Sequence, residues 1–219
     1  MRFEDRVDAG QQLAAKLADV RGEPGLAVLA IPRGGVVVGY EVARALDAPF
    51  DVALSRKLGA PHNEELAIGA LAEDGCRLLD DFLIKQLRVP PEYIERAIER
   101  QQREIERRAP LYRGAHPPLD VRDHAIVVVD DGVATGATMI VTLQSLRARG
   151  VRKLVAAAPV IAAETLERLR TLCDRVECVA APTFFASVGG FYAQFEQVSD
   201  NEVRELLADL AETRSPDEG

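Results

Sequence analysis

Residues 125 to 143 read AIVVVDDGVATGATMIVTL. Ala125 to Val129 is a continuous apolar, β-branched run, the pattern of a strand buried on both faces of a parallel sheet. Asp130 and Asp131 end it with two adjacent carboxylates. Gly132 to Thr138 is small and hydroxylated, the composition that lets backbone N–H groups face an anion. From Thr138 a helical pattern begins (Ile140, Leu143, Leu146), and Gly150 stands where a C′ glycine would close it.

Strand, tight loop and helix together present a helix N-terminus to a phosphate. Two acids ahead of that loop would repel a phosphate, so they must grip another part of the same ligand. Vicinal hydroxyls suit them, because a carboxylate oxygen accepts more than one hydrogen bond. The stretch therefore reads as a holder for a ribose 5-phosphate. Asp130 and Asp131 would take the hydroxyls, and Gly132, Ala134, Thr135, Gly136, Ala137 and Thr138 would wrap the phosphate end. The plain alternative is a strand-end Asp pair that caps a helix in an ordinary α/β domain.

A second unit of the same kind lies upstream. Leu26 to Ile31 reads as a strand, Pro32-Arg33-Gly34-Gly35 as a loop, and Val36 to Leu46 as a helix. Two glycines and a cation could face a second anion, or could be a tight turn and nothing more. Phe50 to Ser55 is the next strand, with Arg56 and Lys57 at the edge where α/β proteins bind ligands. A solvated basic pair is the alternative there.

DDGVATGAT, preceded by four apolar residues, resembles the phosphoribosyl pyrophosphate (PRPP) motif of type I phosphoribosyltransferases. The match covers both acids and Thr135, Gly136 and Thr138 of T-G-x-T. The specific resemblance spans about Ala30 to Gly59 and Ala125 to Leu143, and the whole chain is most similar to bacterial members whose base is unassigned. It implies transfer of ribose 5-phosphate from PRPP to a nitrogenous base or amine, with Mg²⁺ carried chiefly by PRPP oxygens near Asp130 and Asp131. Arg33, Gly34, Gly35, Arg56 and Lys57 would hold the pyrophosphate. A mobile loop, Leu58 to Glu65, would cover the ligand. Ala134 stands where 6-oxopurine enzymes carry an Asp, so the resemblance points away from hypoxanthine and guanine. A protein that binds PRPP and regulates without turnover stays open. A Rossmann dehydrogenase does not fit, since no G-x-G-x-x-G opens a helix.

The rest of the chain supplies the frame. Phe3 to Val20 carries a helical stripe. Ala67 to Ala72 and Cys76 to Asp80 read as a hairpin about Glu73-Asp74-Gly75. Pro90-Pro91 opens a charged helix to about Arg108 that Pro110 stops, and Tyr112 to Asp123 is a linker. That helix has a narrow apolar stripe (Ile94, Ala97, Ile98, Ile105), which makes it mostly solvated or, alternatively, an arm packed on a second copy in a homodimer. Lys153 to Pro159, Ala163 to Leu172 and Val176 to Ala181 continue as strand, helix and strand. Pro182 to Glu212 holds most of the aromatics. Phe184, Phe185, Phe191 and Tyr192 are candidates to stack on a base, with Gln194 or Glu196 at its edge, although a core role is at least as common for such a cluster. Ser199 to Glu202 reads as a capping box, and residues after Thr213 as frayed.

The expected fold is α/β, a doubly wound and mostly parallel sheet flanked by helices. One domain, 1–219, would carry an insert at about 73–123 and a hood or C-terminal segment at about 182–212. Net charge is −8, which argues against nucleic acid as the main partner. No apolar run reaches membrane-spanning length, and MRFEDRVDAG is too polar for a signal peptide. Three cysteines without CxxC spacing imply neither disulfides nor zinc. The expectation is a reduced, cytoplasmic protein.

Overall fold

The structure, a computed structural model, describes residues 2–114 and 116–212, apart from the side chains of Glu65, Ala211 and Glu212. Its centre is a five-stranded parallel sheet of β1 (Leu26–Ala30), β2 (Phe50–Val52), β6 (Ala125–Val129), β7 (Lys153–Val160) and β8 (Arg175–Ala180). The spatial order is β2-β1-β6-β7-β8, so the chain winds outward in both directions from β1. The order reverses between β1 and β6. The region beyond the carboxyl ends of the strands at such a reversal is where open α/β sheets take their ligands. All five residues of β1 and all five of β6 are buried, as the apolar run at 125–129 requires.

Helices cover both faces. Leu13 and Leu17, in and just after α1 (Arg6–Lys16), join Val38 and Val42 of α2 (Gly34–Leu46) over one face. Over the other lie Met139, Ile140, Leu143 and Leu146 of α5 (Ala137–Ala148), with Leu166 and Leu169 of α6 (Ala163–Arg170). The close of α5 follows its sequence. Gly150 takes φ +81°, its N–H reaches the Arg147 carbonyl, and the Val151 N–H reaches that of Leu146. These are the two bonds of a Schellman cap.

A second sheet is antiparallel: β3 (Ser55–Ala60), β4 (Asn63–Ala72) and β5 (Arg77–Leu79). It corrects two expectations. The strand expected over Phe50 to Ser55 ends at Val52, and Ser55 opens β3. The mobile loop expected over Leu58 to Glu65 is instead a hairpin that turns at Pro61-His62. Its composition reads as loop, but Leu58, Ala60 and Ile68 are buried in one cluster with Val89 and Ala97. Gly59 lets the paired strand approach, since a Cβ there would sit 2.7 Å from the Glu64 Cα. α5 is wedged between the two sheets, with Val141 packed against Ala70 and Ala72. That is why it is apolar nearly all round.

The remaining elements are α3 (Asp81–Gln86), not expected from the sequence and capped by the Asp80 carboxylate, α4 (Pro91–Arg113) and α7 (Asp200–Glu212). Pro110 does not stop α4 but lies inside it. The last turn is held from outside. Tyr112 donates to Asp200, and Arg113 donates to Asp51, Glu73 and the Val52 carbonyl. The apolar stripe of α4 packs within the chain, on β3, β4 and α7. The capping box forms as read: Glu202 N–H donates to Ser199 Oγ at 3.2 Å, and Ser199 N–H to Glu202 Oε2 at 2.7 Å. The expectation for residues after Thr213 lies outside the described residues. No described helix is long and apolar enough to cross a membrane.

Candidate functional site

Two loops meet at the switch point. The loop after β1 carries Arg33, Gly34 and Gly35 into the start of α2, and the loop after β6 carries Asp130 to Gly136 into α5. They touch closely. A Cβ on Gly34 would stand 1.9 Å from Asp131 Oδ2, and one on Gly35 would stand 2.9 Å from the Asp130 Cα. The glycines are thus required by the neighbouring loop. Gly34→Ala is expected to destabilise the fold by about 1–3 kcal/mol through overpacking. Gly190→Ala, whose added carbon meets only Ser187 Oγ at 3.6 Å, should stay within about 0.5 kcal/mol. Equal thermal midpoints for the two variants would contradict this account.

Both helix starts are open. Among the described residues, the amides of Gly34 and Gly35 and those of Thr135 to Met139 donate to no protein acceptor. Gly136 is the N-cap of α5 at φ +77° and offers no side chain. A Cβ there would also meet Thr165 Cγ2 at 2.6 Å. Thr165 supports the turn by donating to the Ala134 carbonyl. Ala134 and Thr135 are exposed, and Thr138 is half-buried.

The acids are not equivalent. Asp130 Oδ1 accepts the Asp131 N–H at 2.8 Å, which leaves its second oxygen. Asp131 Oδ2 accepts from Arg6 Nε at 2.8 Å, and both side chains are largely buried. Burial, and after it the Asp131 charge, pushes the Asp130 carboxyl well above the ordinary range. Burial also raises Asp131, but the Arg6 charge opposes it. The Tyr192 hydroxyl donates to the Asp131 carbonyl and ties the loop to the C-terminal segment.

The cations separate. Arg56 and Lys57 lie in β3, where successive side chains take opposite faces. Arg56 pairs in register with Leu71 and faces α4, donating to Gln101 at 3.0 Å. Lys57 pairs with Ala70, on the face that packs against Ala137 and Val141 of α5. The two were expected to converge on one point, and they leave β3 on opposite faces. The ground for that expectation, a place at the end of a parallel strand, fails, because β3 belongs to the antiparallel sheet. Arg33 lies 4.0 Å from Asp200. Burial and the nearby Arg108 charge hold the Arg56 guanidinium below its ordinary value. Glu104, bonded to Arg107 and Arg108, is held down to about 2. Tyr112 is pushed up to about 12, first by burial and then by its bond to Asp200. Gln101, Ile105, Arg108 and Tyr112 form one helical stripe of α4 beside Arg56 and Arg33.

The aromatic segment divides as well. Tyr192 is 1% exposed and packs on Phe3, so its ring is core and is not a stacking surface. Phe185 and Phe191 pack on each other at 5.0 Å, while Phe184 is 84% exposed. Val188 lies over Gly132, where an added Cβ would meet it at 2.4 Å, so the segment borders the Asp loop. Gln194 donates to Glu4. The Glu196 carbonyl accepts from Arg6.

Sequence reasoning passed over Arg6, Arg108, Tyr112 and Asp200. Arg6 reads as an ordinary residue of a first helical turn, and nothing local distinguishes it. The other three lay in stretches read as a solvated helix, a linker and a cap. For a metal, the loop offers two carboxylates, and no group of three or more His, Cys, Asp or Glu converges among the described residues. That donor set fits Mg²⁺ bound mainly through ligand oxygens and water, with Asp130 and Asp131 as the protein's contribution.

The sequence model of the family described as "Phosphoribosyl transferase domain" matches residues 3–196. A Mycobacterium tuberculosis protein, provisionally named a phosphoribosyl transferase, is 43% identical over 206 residues, which are 94% of this chain and 46% of that protein. The chain thus spans about half the length of this relative. The crystal structure of TT1426 from Thermus thermophilus superposes with a TM-score of 0.78 at 41% identity, covering 96% of this chain and 99% of that one.

Proposed function

The chain belongs to the phosphoribosyl transferase domain family, and from that premise we propose that it transfers the ribose 5-phosphate of PRPP to a nitrogenous base or amine and releases pyrophosphate. One observation carries the reading: two helix starts with unpaired amides meet at the switch point, with an Asp pair between them. PRPP has the matching form, with anions at both ends and hydroxyls between.

In this reading the amides and hydroxyls of Thr135 to Thr138 take the 5′-phosphate, helped by the helix dipole. The free oxygens of Asp130 and Asp131 take the ribose hydroxyls. The amides of Gly34 and Gly35, with Arg33, take the pyrophosphate. Arg56 and Lys57 approach from β3 on its two faces. Mg²⁺, when bound with PRPP, would neutralise part of the pyrophosphate charge. The protein's own task is to hold the ribose still and favour the departing charge while an oxocarbenium-like centre forms at C1. A nitrogen lone pair then closes on C1 from the opposite face. Ala134 cannot exchange a proton with a purine N7, so the acceptor is not a 6-oxopurine. Phe184 and the Phe185–Phe191 pair are the stacking surface beside the acceptor.

The test is pyrophosphate release from PRPP and Mg²⁺ with a panel of purines, pyrimidines and small amines. Turnover of at least one acceptor other than hypoxanthine or guanine is expected. Efficient use of either of those two would overturn the argument from Ala134. Tight PRPP binding without any turnover would make the protein a PRPP-sensing regulator instead.

A further inference from the structure

We infer that Arg6 is a positioning residue of the ribose grip: it pins Asp131 Oδ2 beside Gly34, leaving Asp131 one oxygen for the ligand, and so makes the first turn of α1 part of the substrate site. The inference rests on the proposed PRPP reading and adds to it a residue 125 positions away in sequence.

Arg6 is itself held on three sides. Nε donates to Asp131 Oδ2 at 2.8 Å, and Nη1 donates to the Glu196 carbonyl at 2.8 Å. Its guanidinium lies 3.8 Å from the centre of the Phe195 ring, a cation–π contact. The Arg6 side chain is 11% exposed and that of Asp131 14%, so water competes weakly for the pair. Gly34 completes the slot, since a Cβ there would meet Asp131 Oδ2 and stand 2.9 Å from Arg6 Nε.

The chemical reason is charge. Asp130 and Asp131 are adjacent and buried, so ionising both is costly unless a cation sits beside one. Arg6 is that cation. The other groups facing the pair are the Tyr192 phenol, on the Asp131 carbonyl, and Glu202 of α7, which feels the Arg6 charge. Arg6 thus holds Asp131 Oδ2 and leaves its other oxygen as an acceptor for a ribose hydroxyl.

Three variants test this. Arg6→Gln should weaken PRPP–Mg²⁺ binding by about tenfold, as expected for loss of one charge-assisted contact. Arg6→Lys should recover most of the affinity, because it restores a cation beside Asp131. In an Asp131→Asn background, Arg6→Gln should cost little more. Unchanged affinity in Arg6→Gln would overturn the inference, as would an equal further loss in the Asp131→Asn background, which would make Arg6 merely structural. Wild-type protein that binds no PRPP would instead sink the proposed function. PRPP binding that ignores Arg6 would sink this inference alone.

Discussion

Asp130→Asn is expected to abolish most PRPP binding and, at neutral pH, to make the protein more stable. The loss comes from the ribose grip. A charge-assisted hydrogen bond is worth roughly 1.5–3 kcal/mol, about ten- to a hundredfold in affinity, and an amide can turn a donor toward the hydroxyl. Asp131→Asn should lose a similar factor. The gain in stability follows from burial. The folded protein holds a proton on Asp130 to higher pH than the unfolded chain, whose carboxyl titrates near 3.8. Between those two values the folded state binds more protons, so stability falls as pH rises, and above the raised value the full penalty applies. Asn removes that penalty, while its carbonyl oxygen can still accept the Asp131 N–H. The increase should be about 0.5–2 kcal/mol at pH 7 to 8, in the range of other substitutions that relieve a functional site. It should vanish below about pH 3.8, where the carboxyl is protonated folded or unfolded. Thermal melts across pH, with calorimetry against PRPP and Mg²⁺, check both halves. A variant that binds PRPP like wild type would remove Asp130 from the site. One that melts lower at pH 8 would contradict the electrostatic account.

Arg113→Met should give the largest loss of stability, about 3–5 kcal/mol, because it strands a buried carboxylate. Arg113 is 8% exposed at its side chain and Asp51 12%. Arg113 Nε donates to both Asp51 oxygens, Nη1 to Glu73 at 2.7 Å and Nη2 to the Val52 carbonyl at 2.8 Å. Asp51 also accepts the N–H groups of Val52 and Leu119. One guanidinium therefore binds the end of α4, the edge strand β2 and the turn after β4. It also offsets Pro110, which has no N–H and crowds the carbonyl one turn back. Adding Asp51→Asn should return part of the loss, since the stranded charge goes while one carbonyl oxygen stays as an acceptor for either Val52 or Leu119. Urea denaturation of the single and double variants decides it. A single variant within about 1 kcal/mol of wild type, the range of an exposed ion pair, would show that this network does not hold the helix.

Local features of this chain are legible from residue order alone. Ala125 to Val129 reads as a buried strand and is β6 with those limits. Gly150 closes α5, and Ser199 with Glu202 opens α7, because caps are made by residues within four or five of one another. The Asp pair and T-G-x-T were legible for the same reason, and the alternation of strand and helix was enough for the doubly wound order. Features that depend on partners far apart in the chain emerge with the folded arrangement. Leu58 to Glu65 became a hairpin because Leu58 and Ala60 are buried under Val89 and Ala97. α4 ran through Pro110 because Arg113 met Asp51, 62 residues away. Arg56 and Lys57 parted because β3 pairs with β4 and packs between two different helices. Arg6 joined the site because α1 returns over the carboxyl end of β6, bringing a guanidinium to a carboxylate. A local pattern fixes backbone geometry at short range, whereas the pairing of buried charges depends on where the whole chain places them.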